Sequence, residues 1–199
     1  TNIENLIYEH INGMVTRNKD PHFRPENKEI KSFFSSLVKK DNNQFNKISF
    51  IRKKGLEDKL SSFMTEDNYD FKMHLLDPLF NNSVTSQPSA KKLKELEIHI
   101  EIKQINMDVL EMLGSLGKID KNLSEDFIHI IYTDNGIGLN QKDLDNIEIK
   151  KSGGTYNIKQ TCKKFGGCAK FIEDKNGFKC EIIIPKINNA LDYNFKEKG

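Results

Sequence analysis

Tyr132-Thr133-Asp134-Asn135-Gly136-Ile137-Gly138-Leu139 constrains this chain more than any other stretch. An apolar run, Phe127 to Tyr132, leads to a carboxylate and then to two glycines, so a strand has to end there and the main chain has to turn tightly. Alone, Asp-Asn-Gly is also an ordinary turn after a strand. The residues downstream of it narrow the choice. Ser152-Gly153-Gly154-Thr155-Tyr156-Asn157-Ile158-Lys159 is a second glycine site that opens a helical run ending at Phe165-Gly166-Gly167. Cys168–Ile172, a turn at Asp174-Lys175-Asn176-Gly177, and Phe178–Ile184 read as a hairpin closed by Pro185. A carboxylate at a strand end can meet the edge of a flat ligand where glycines let the backbone come close, so this order predicts a nucleotide pocket.

These residues resemble the boxes of the ATPase superfamily shared by histidine kinases, DNA gyrase, Hsp90 and MutL, and most closely the ATP-binding domain of sensor histidine kinases. Asp134, Gly136 and Gly138 match the first glycine box, whose Asp accepts a hydrogen bond from the adenine amino group. Gly154, Asn157, Ile158 and Lys159 are in register with G-x-G-L-x-N-(V/I)-(R/K). Leu75-Leu76-Asp77-Pro78-Leu79-Phe80-Asn81-Asn82-Ser83-Val84 is similar to the Asn box L-L-Q-P-L-V-E-N-A-I, and Gly177 to Pro185 has the spacing of the G-T-x-F…L-P ending. The resemblance runs from about Asp41 to Lys186. It implies ATP as ligand, with Asp134 on adenine, Asn82 on Mg²⁺, and Gly153, Gly154 and Lys151 near the phosphates. Physical chemistry agrees: Mg²⁺ takes oxygen ligands and keeps several waters, so one amide oxygen with triphosphate oxygens completes a shell.

Departures from the pattern bear on turnover. Asn81 stands where active kinases of this kind carry an acidic residue, and an amide is no general base at neutral pH. Thr85 and Ser86 follow where Lys or Arg and an aromatic or His are common, and Ser152, Thr155 and Phe178 replace a Gly, a Leu and a Thr. Binding is therefore a safer expectation than catalysis. A phosphoacceptor is harder to assign. His10, beside Glu9 on the first helical stretch, is the better candidate; His22 in Pro21-His22-Phe23 resembles the P-H-F-L-x-N box but is followed by Arg24-Pro25 and reads as a turn histidine.

Composition excludes several classes. A net charge of +2 gives no case for nucleic acid. No apolar run approaches the roughly 18–20 residues needed to span a bilayer, and no signal-peptide pattern opens the chain, so a cytoplasmic, membrane-free fragment beginning at Thr1 is expected. Cys162, Cys168 and Cys180 form no C-x-x-C pair and read as buried thiols. His74, His99 and His129 are too dispersed for a metal site.

Along the chain, residues 2–17 and 27–40 have helical periodicity about a proline-marked turn. The spacing predicts a further helix over 42–64, a short strand at Tyr69–Lys72, and a helix carrying Leu75, Leu76, Leu79, Phe80 and Val84 that Pro78 interrupts. Leu96–Ile105 alternates as a half-buried strand does, residues 106–123 hold a short helix decorating the sheet edge, and Asn140 to Lys151 forms a mixed-charge lid. The expected fold is α+β, a two-layer α/β sandwich with a mixed sheet on helices. Residues 1–40 form a helical hairpin able to dimerise and residues 41–199 the ATP-binding domain.

The function this implies is that of a sensor histidine kinase domain: it transfers the ATP γ-phosphate to a histidine for relay to a response regulator or phosphorelay protein, as a homodimer. The alternatives are a degenerate, non-catalytic kinase-like or phosphotransfer scaffold, and an Hsp90/MutL-type ATPase with Asp77 nearest the place of its base.

Overall fold

The computed structural model describes residues 3–19, 28–37, 39–40, 44–52, 65–112 and 126–185. Its sheet has seven strands in the order β1-β2-β3-β4-β5-β7-β6. These are β1 (Lys39–Lys40), β2 (Gln44–Phe45), β3 (Ile48–Arg52), β4 (Ile98–Asn106), β5 (Asp126–Asp134), β6 (Cys168–Ile172) and β7 (Lys179–Pro185). Only β3 and β4 run parallel; the other neighbours are antiparallel. The sheet is mixed and the fold α+β, as the sequence predicts.

β4 and β5 pair over their whole length, from Ile98 opposite Asp134 to Asn106 opposite Asp126. Ile98, Ile100 and Ile102 point to one face with Ile128, Ile130 and Tyr132 beside them, and Cys180, Ile182 and Ile184 of β7 continue it. Period-two alternation thus makes one face wholly apolar. The helical layer covers it: α1 (Ile3–Lys19), α2 (Lys28–Ser36), a continuous helical stretch from Thr65 to Thr85, and α8 (Gly154–Lys164). Ile3, Leu6, Ile7, Ile11 and Met14 put α1 into this same core. Central β5 is also covered on its other face, where Phe127 joins Ile105, Ile183, Cys168 and Leu110. Leu110 comes from α6 (Met107–Met112), the short helix expected after β4, which packs on the sheet's second face rather than at an edge strand.

The stretch from Thr65 to Thr85 corrects the sequence reading. α3 (Thr65–Asp70) runs into a π-helical segment (Phe71–Leu76) and then α4 (Asp77–Thr85), so Tyr69–Lys72 is helix and not strand. Phe71, Leu75 and Leu76 are buried together, a helical spacing that a four-residue window does not reveal. Pro78 has no N–H to give, and the helix widens just before it: the Asp77 N–H bonds to the Lys72 carbonyl, five residues back. The helix passes the proline without breaking.

The helix expected over 42–64 is also corrected for its described part, where β2 and β3 stand instead. Phe45 and Ile48 face the core while Ser49 is exposed, and β3 gains its ladder from β4, fifty residues away. Residues 53–64 and His22 lie outside the described residues. The helix expected over 27–40 ends at Ser36, since β1 claims Lys39 and Lys40.

Candidate nucleotide-binding site

Asp134, the last residue of β5, is only 9% exposed, and its carboxylate is fixed by three donors. Oδ1 accepts the N–H groups of Gly136 (2.8 Å) and Phe178 (3.0 Å). Oδ2 accepts the hydroxyl of Ser83 on α4, whose oxygen is 2.8 Å from the Tyr132 phenol. An ionised carboxylate has roughly four acceptor positions, so one remains for a ligand. Burial drives the Tyr132 pKa well above its ordinary value, aided by the Asp134 charge and opposed by the Ser83 hydrogen bond, so the phenol stays protonated. Sequence reasoning does not single out Ser83; its place next to Asn82 in the Asn box is the only signal for it.

The loop after Asp134 is held from both sides. Asn135 bonds through its side chain to the Glu97 N–H (2.7 Å) and the Glu95 carbonyl (3.0 Å), tying the loop to the start of β4. On the other side Gly138 lies so near the β6–β7 turn that a Cβ there would sit 1.5 Å from the Asp174 carbonyl oxygen. Only glycine allows that approach.

The second glycine site meets Asn82 directly. Gly153 adopts φ 91°, a glycine conformation, and caps α8. A Cβ on Gly154 would lie 3.3 Å from both Asn82 Oδ1 and Pro78 Cβ, so α8 begins against the Asn-box helix. The first N–H groups of an α-helix have no partner within it and attract anions. Lys163 and Lys164 in the last turn match the opposite end of the dipole.

Between these parts lies a cleft of about 490 Å³. Asn82, Thr85 and Ser86 form one wall, Gly138 and Phe178 are also at its surface, Thr155 comes from α8, and Ile147, Ile149 and Lys150 come from the lid. Asp134 is not on the lining; it accepts the N–H of Phe178, which is. The lid is mostly helical: α7 (Gln141–Ile149) starts in a capping box in which Asn140 and Asp143 bond each other's backbone N–H. That bond occupies the carboxylate of Asp143, which also lines the cleft. Lys150 faces the cleft, while Lys151 is exposed beyond the lining. Ile149 and Ile137 leave large apolar surfaces open at the mouth.

His10 is not at this cleft surface. It is 4% exposed on the buried face of α1, its ring centroid 6.1 Å from that of Phe80. Its Nε2 lies 3.4 Å from Asp77 Oδ1, long for a hydrogen bond, so the contact is an ion pair at most. Arg17 is 3.6 Å from the same oxygen and the Asn81 amide donates to Oδ2 at 2.7 Å. Burial alone raises the pKa of Asp77, but His10 and Arg17 outweigh it and hold the carboxyl below its ordinary value. The three cysteines are buried and form no disulfide; burial pushes the thiols of Cys162 and Cys180 up, so they stay protonated.

No family model matches the chain, and no curated protein does. Solved structures do resemble it. The nucleotide-free catalytic domain of the histidine kinase ThkA is 14% identical with TM-score 0.50, over 95% of this chain and 97% of that one. The mycobacterial sensor histidine kinase MprB is 10% identical with TM-score 0.48, over 95% and 99%. The blue-light activated histidine kinase of Erythrobacter litoralis EL346 is 12% identical with TM-score 0.41, over 70% of this chain. Of that last protein the chain spans 35% of the length. At 14% identity the likeness to the ThkA domain concerns the fold alone: this chain shares the fold of that histidine kinase catalytic domain. Among the described residues no helix is long and apolar enough to cross a membrane.

Proposed function

We propose that this chain is an ATP-binding domain of the sensor histidine kinase type, taking ATP with Mg²⁺. What supports the reading is the Asn82 amide at the cleft surface with the glycine start of α8 against it, and beneath that surface a buried carboxylate, Asp134, with an acceptor position left and bonds to Phe178 and Ser83 next to the lining. The donor set fits the group. Among the described residues no cluster of three or more His, Cys, Asp or Glu is present, so an ion here would rest on Asn82, phosphate oxygens and water. When bound, Mg²⁺ neutralises phosphate charge. Asp134 orients the purine, the N–H groups of α8 and Lys150 or Lys151 hold the phosphates, and the apolar residues Ile147 and Ile149 of the lid exclude water.

In this reading the γ-phosphate passes to a histidine and on to a response regulator or phosphorelay protein, with residues 1–40 as the dimerising segment. His10 serves as acceptor only once α1 leaves the core, since its Nε2 faces Asp77. That burial, with the amide at position 81, favours a second reading in which the chain binds nucleotide as a non-catalytic scaffold.

Calorimetry with ATP, with and without Mg²⁺, tests the shared claim; absence of any heat or melting shift would remove both readings. Incubation with γ-labelled ATP separates them. Acid-labile label that disappears in His10→Gln supports the kinase, and retained binding without label supports the scaffold. Phosphate release that stops in Asp77→Asn but persists in His10→Gln would point instead to hydrolysis for conformational work.

A further inference from the structure

A second cavity, of about 370 Å³, lies between α2 and the short helix α5 (Ala90–Lys94). Its floor is apolar: Phe33 and Leu93 are both buried, and the Phe33 ring is fixed edge-on against Phe34 at 5.6 Å. Lys47, Lys94, Ser32 and Ser36 are also on the lining, the Ser36 hydroxyl donates to the Phe33 carbonyl at 2.7 Å, and among the described residues no carboxylate side chain lines the space.

Lys47 marks this cavity as built. Among the described residues it alone, apart from glycines, has a positive φ, 64°. It closes the tight turn between β2 and β3, where Asn or Gly would take the left-handed region at less cost. The turn is held firmly: the Lys47 carbonyl accepts the Ile98 N–H at 2.7 Å, and the Asn46 amide donates to the Ser36 carbonyl at 2.8 Å. The strained backbone sends the lysine side chain back across the cavity. Its Nζ stands 5.5 Å from the centre of the Phe33 ring and donates to the Lys94 carbonyl. A ring face and one neutral carbonyl are weak partners for an ammonium, and an incoming carboxylate is a stronger one. Strain kept at a residue that places a charge over an aromatic floor is a mark of a ligand site rather than of a turn.

We propose that this cavity binds a small organic anion with an apolar body, an aryl or branched aliphatic carboxylate. Lys47 and Lys94 hold the charged head, Ser32 supplies a lateral hydrogen bond, and Phe33 and Leu93 receive the body. The site is separate from the nucleotide cleft and does not depend on the reading given to it.

Amide-resolved NMR titration of the whole chain tests this with phenylacetate and, as the neutral match, phenylacetamide. Phenylacetate is expected to cause saturable shifts at Ser36, Lys47 and Leu93, with the amide binding at least about tenfold more weakly, as loss of a charged hydrogen bond requires. Lys47→Gly removes the ammonium and the backbone strain together, so binding should fall by a similar factor while the melting temperature stays level or rises. If that variant does not fold, Lys94→Gln, altered at an exposed side chain, is expected to weaken phenylacetate and leave phenylacetamide unchanged. Equal affinity for acid and amide, shifts confined to the nucleotide cleft, no saturation at millimolar phenylacetate, or full binding by the folded lysine variant would each overturn the proposal.

Discussion

Replacing Asp134 by Asn probes the cleft with the least change in shape. The side-chain oxygen can still accept from Gly136 and Phe178, at 2.8 and 3.0 Å in the wild type, but the other position becomes an NH₂ facing Ser83. The Ser83 hydroxyl then has to accept from Asn and donate to Tyr132, 2.8 Å away, which its rotation allows. The fold therefore survives and loses charge assistance on three hydrogen bonds, about 1 kcal/mol each, for a cost of up to about 3 kcal/mol. Relief from burying a charge reduces that figure. For a chain of this size the melting temperature should fall by about 6–12 °C at most. The nucleotide loses more. Where the purine amino group met an acceptor it now meets a donor, and a charged hydrogen bond of about 1.5–3 kcal/mol corresponds to roughly 10–150-fold in Kd. Calorimetry with ATP·Mg and GTP·Mg reads this, and GTP should be weakened less because its keto oxygen accepts. A correctly folded variant that binds ATP as tightly as the wild type would refute the role of Asp134.

Three further outcomes concern other parts of the site and core. Asn82→Ala should leave metal-free ATP binding within about twofold while abolishing the gain from Mg²⁺, since the amide acts only through the ion; calorimetry in chelator and in Mg²⁺ separates the two. Gly138→Ala should cost about 3 kcal/mol or more, because the methyl would enter the space of the Asp174 carbonyl and the β6–β7 turn would have to move; a urea midpoint unchanged from wild type would contradict this. Burial lowers the pKa of His129 against the opposing pull of Glu181, so the folded chain keeps this imidazole neutral while the unfolded chain takes up a proton near its ordinary value of about 6.5. Stability present above that value is then lost as pH falls through it, and His129→Gln should flatten that part of the urea midpoint between pH 7.5 and 5.5 relative to wild type.

Much of the fold and the order of the site could be read from residue patterns. β4 alternates Ile with charged or polar residues from Ile98 to Lys103, long enough for a period of two to be unmistakable, and β5 reads as a mostly apolar run that ends at Asp134. The glycine at 153 is needed by local backbone geometry, while those at 138 and 154 make room for distant residues, Asp174 and Asn82, and show in the sequence only as glycines. Short elements were less legible. β2 and β3, of two and five residues, hold too few positions for a period, and β3 exists because β4 supplies a parallel partner from far along the chain. Tyr69–Lys72 resembles a strand until Phe71 is seen to share a buried helix face with Leu75 and Leu76.

What the sequence by itself determined is therefore the set of chemical groups and their order: a carboxylate at a strand end, an amide on a helix, glycine before a second helix. Tertiary structure decided which of their neighbours matter. Ser83 reaches Asp134 across fifty-one positions, Lys150 rather than Lys151 faces the cleft, and His10 lies against Asp77 inside the core. Local spacing encodes dihedral angles and periodicity, which act over a few residues. Burial and electrostatic pairing arise only when distant segments pack together, and no short window of sequence contains both partners.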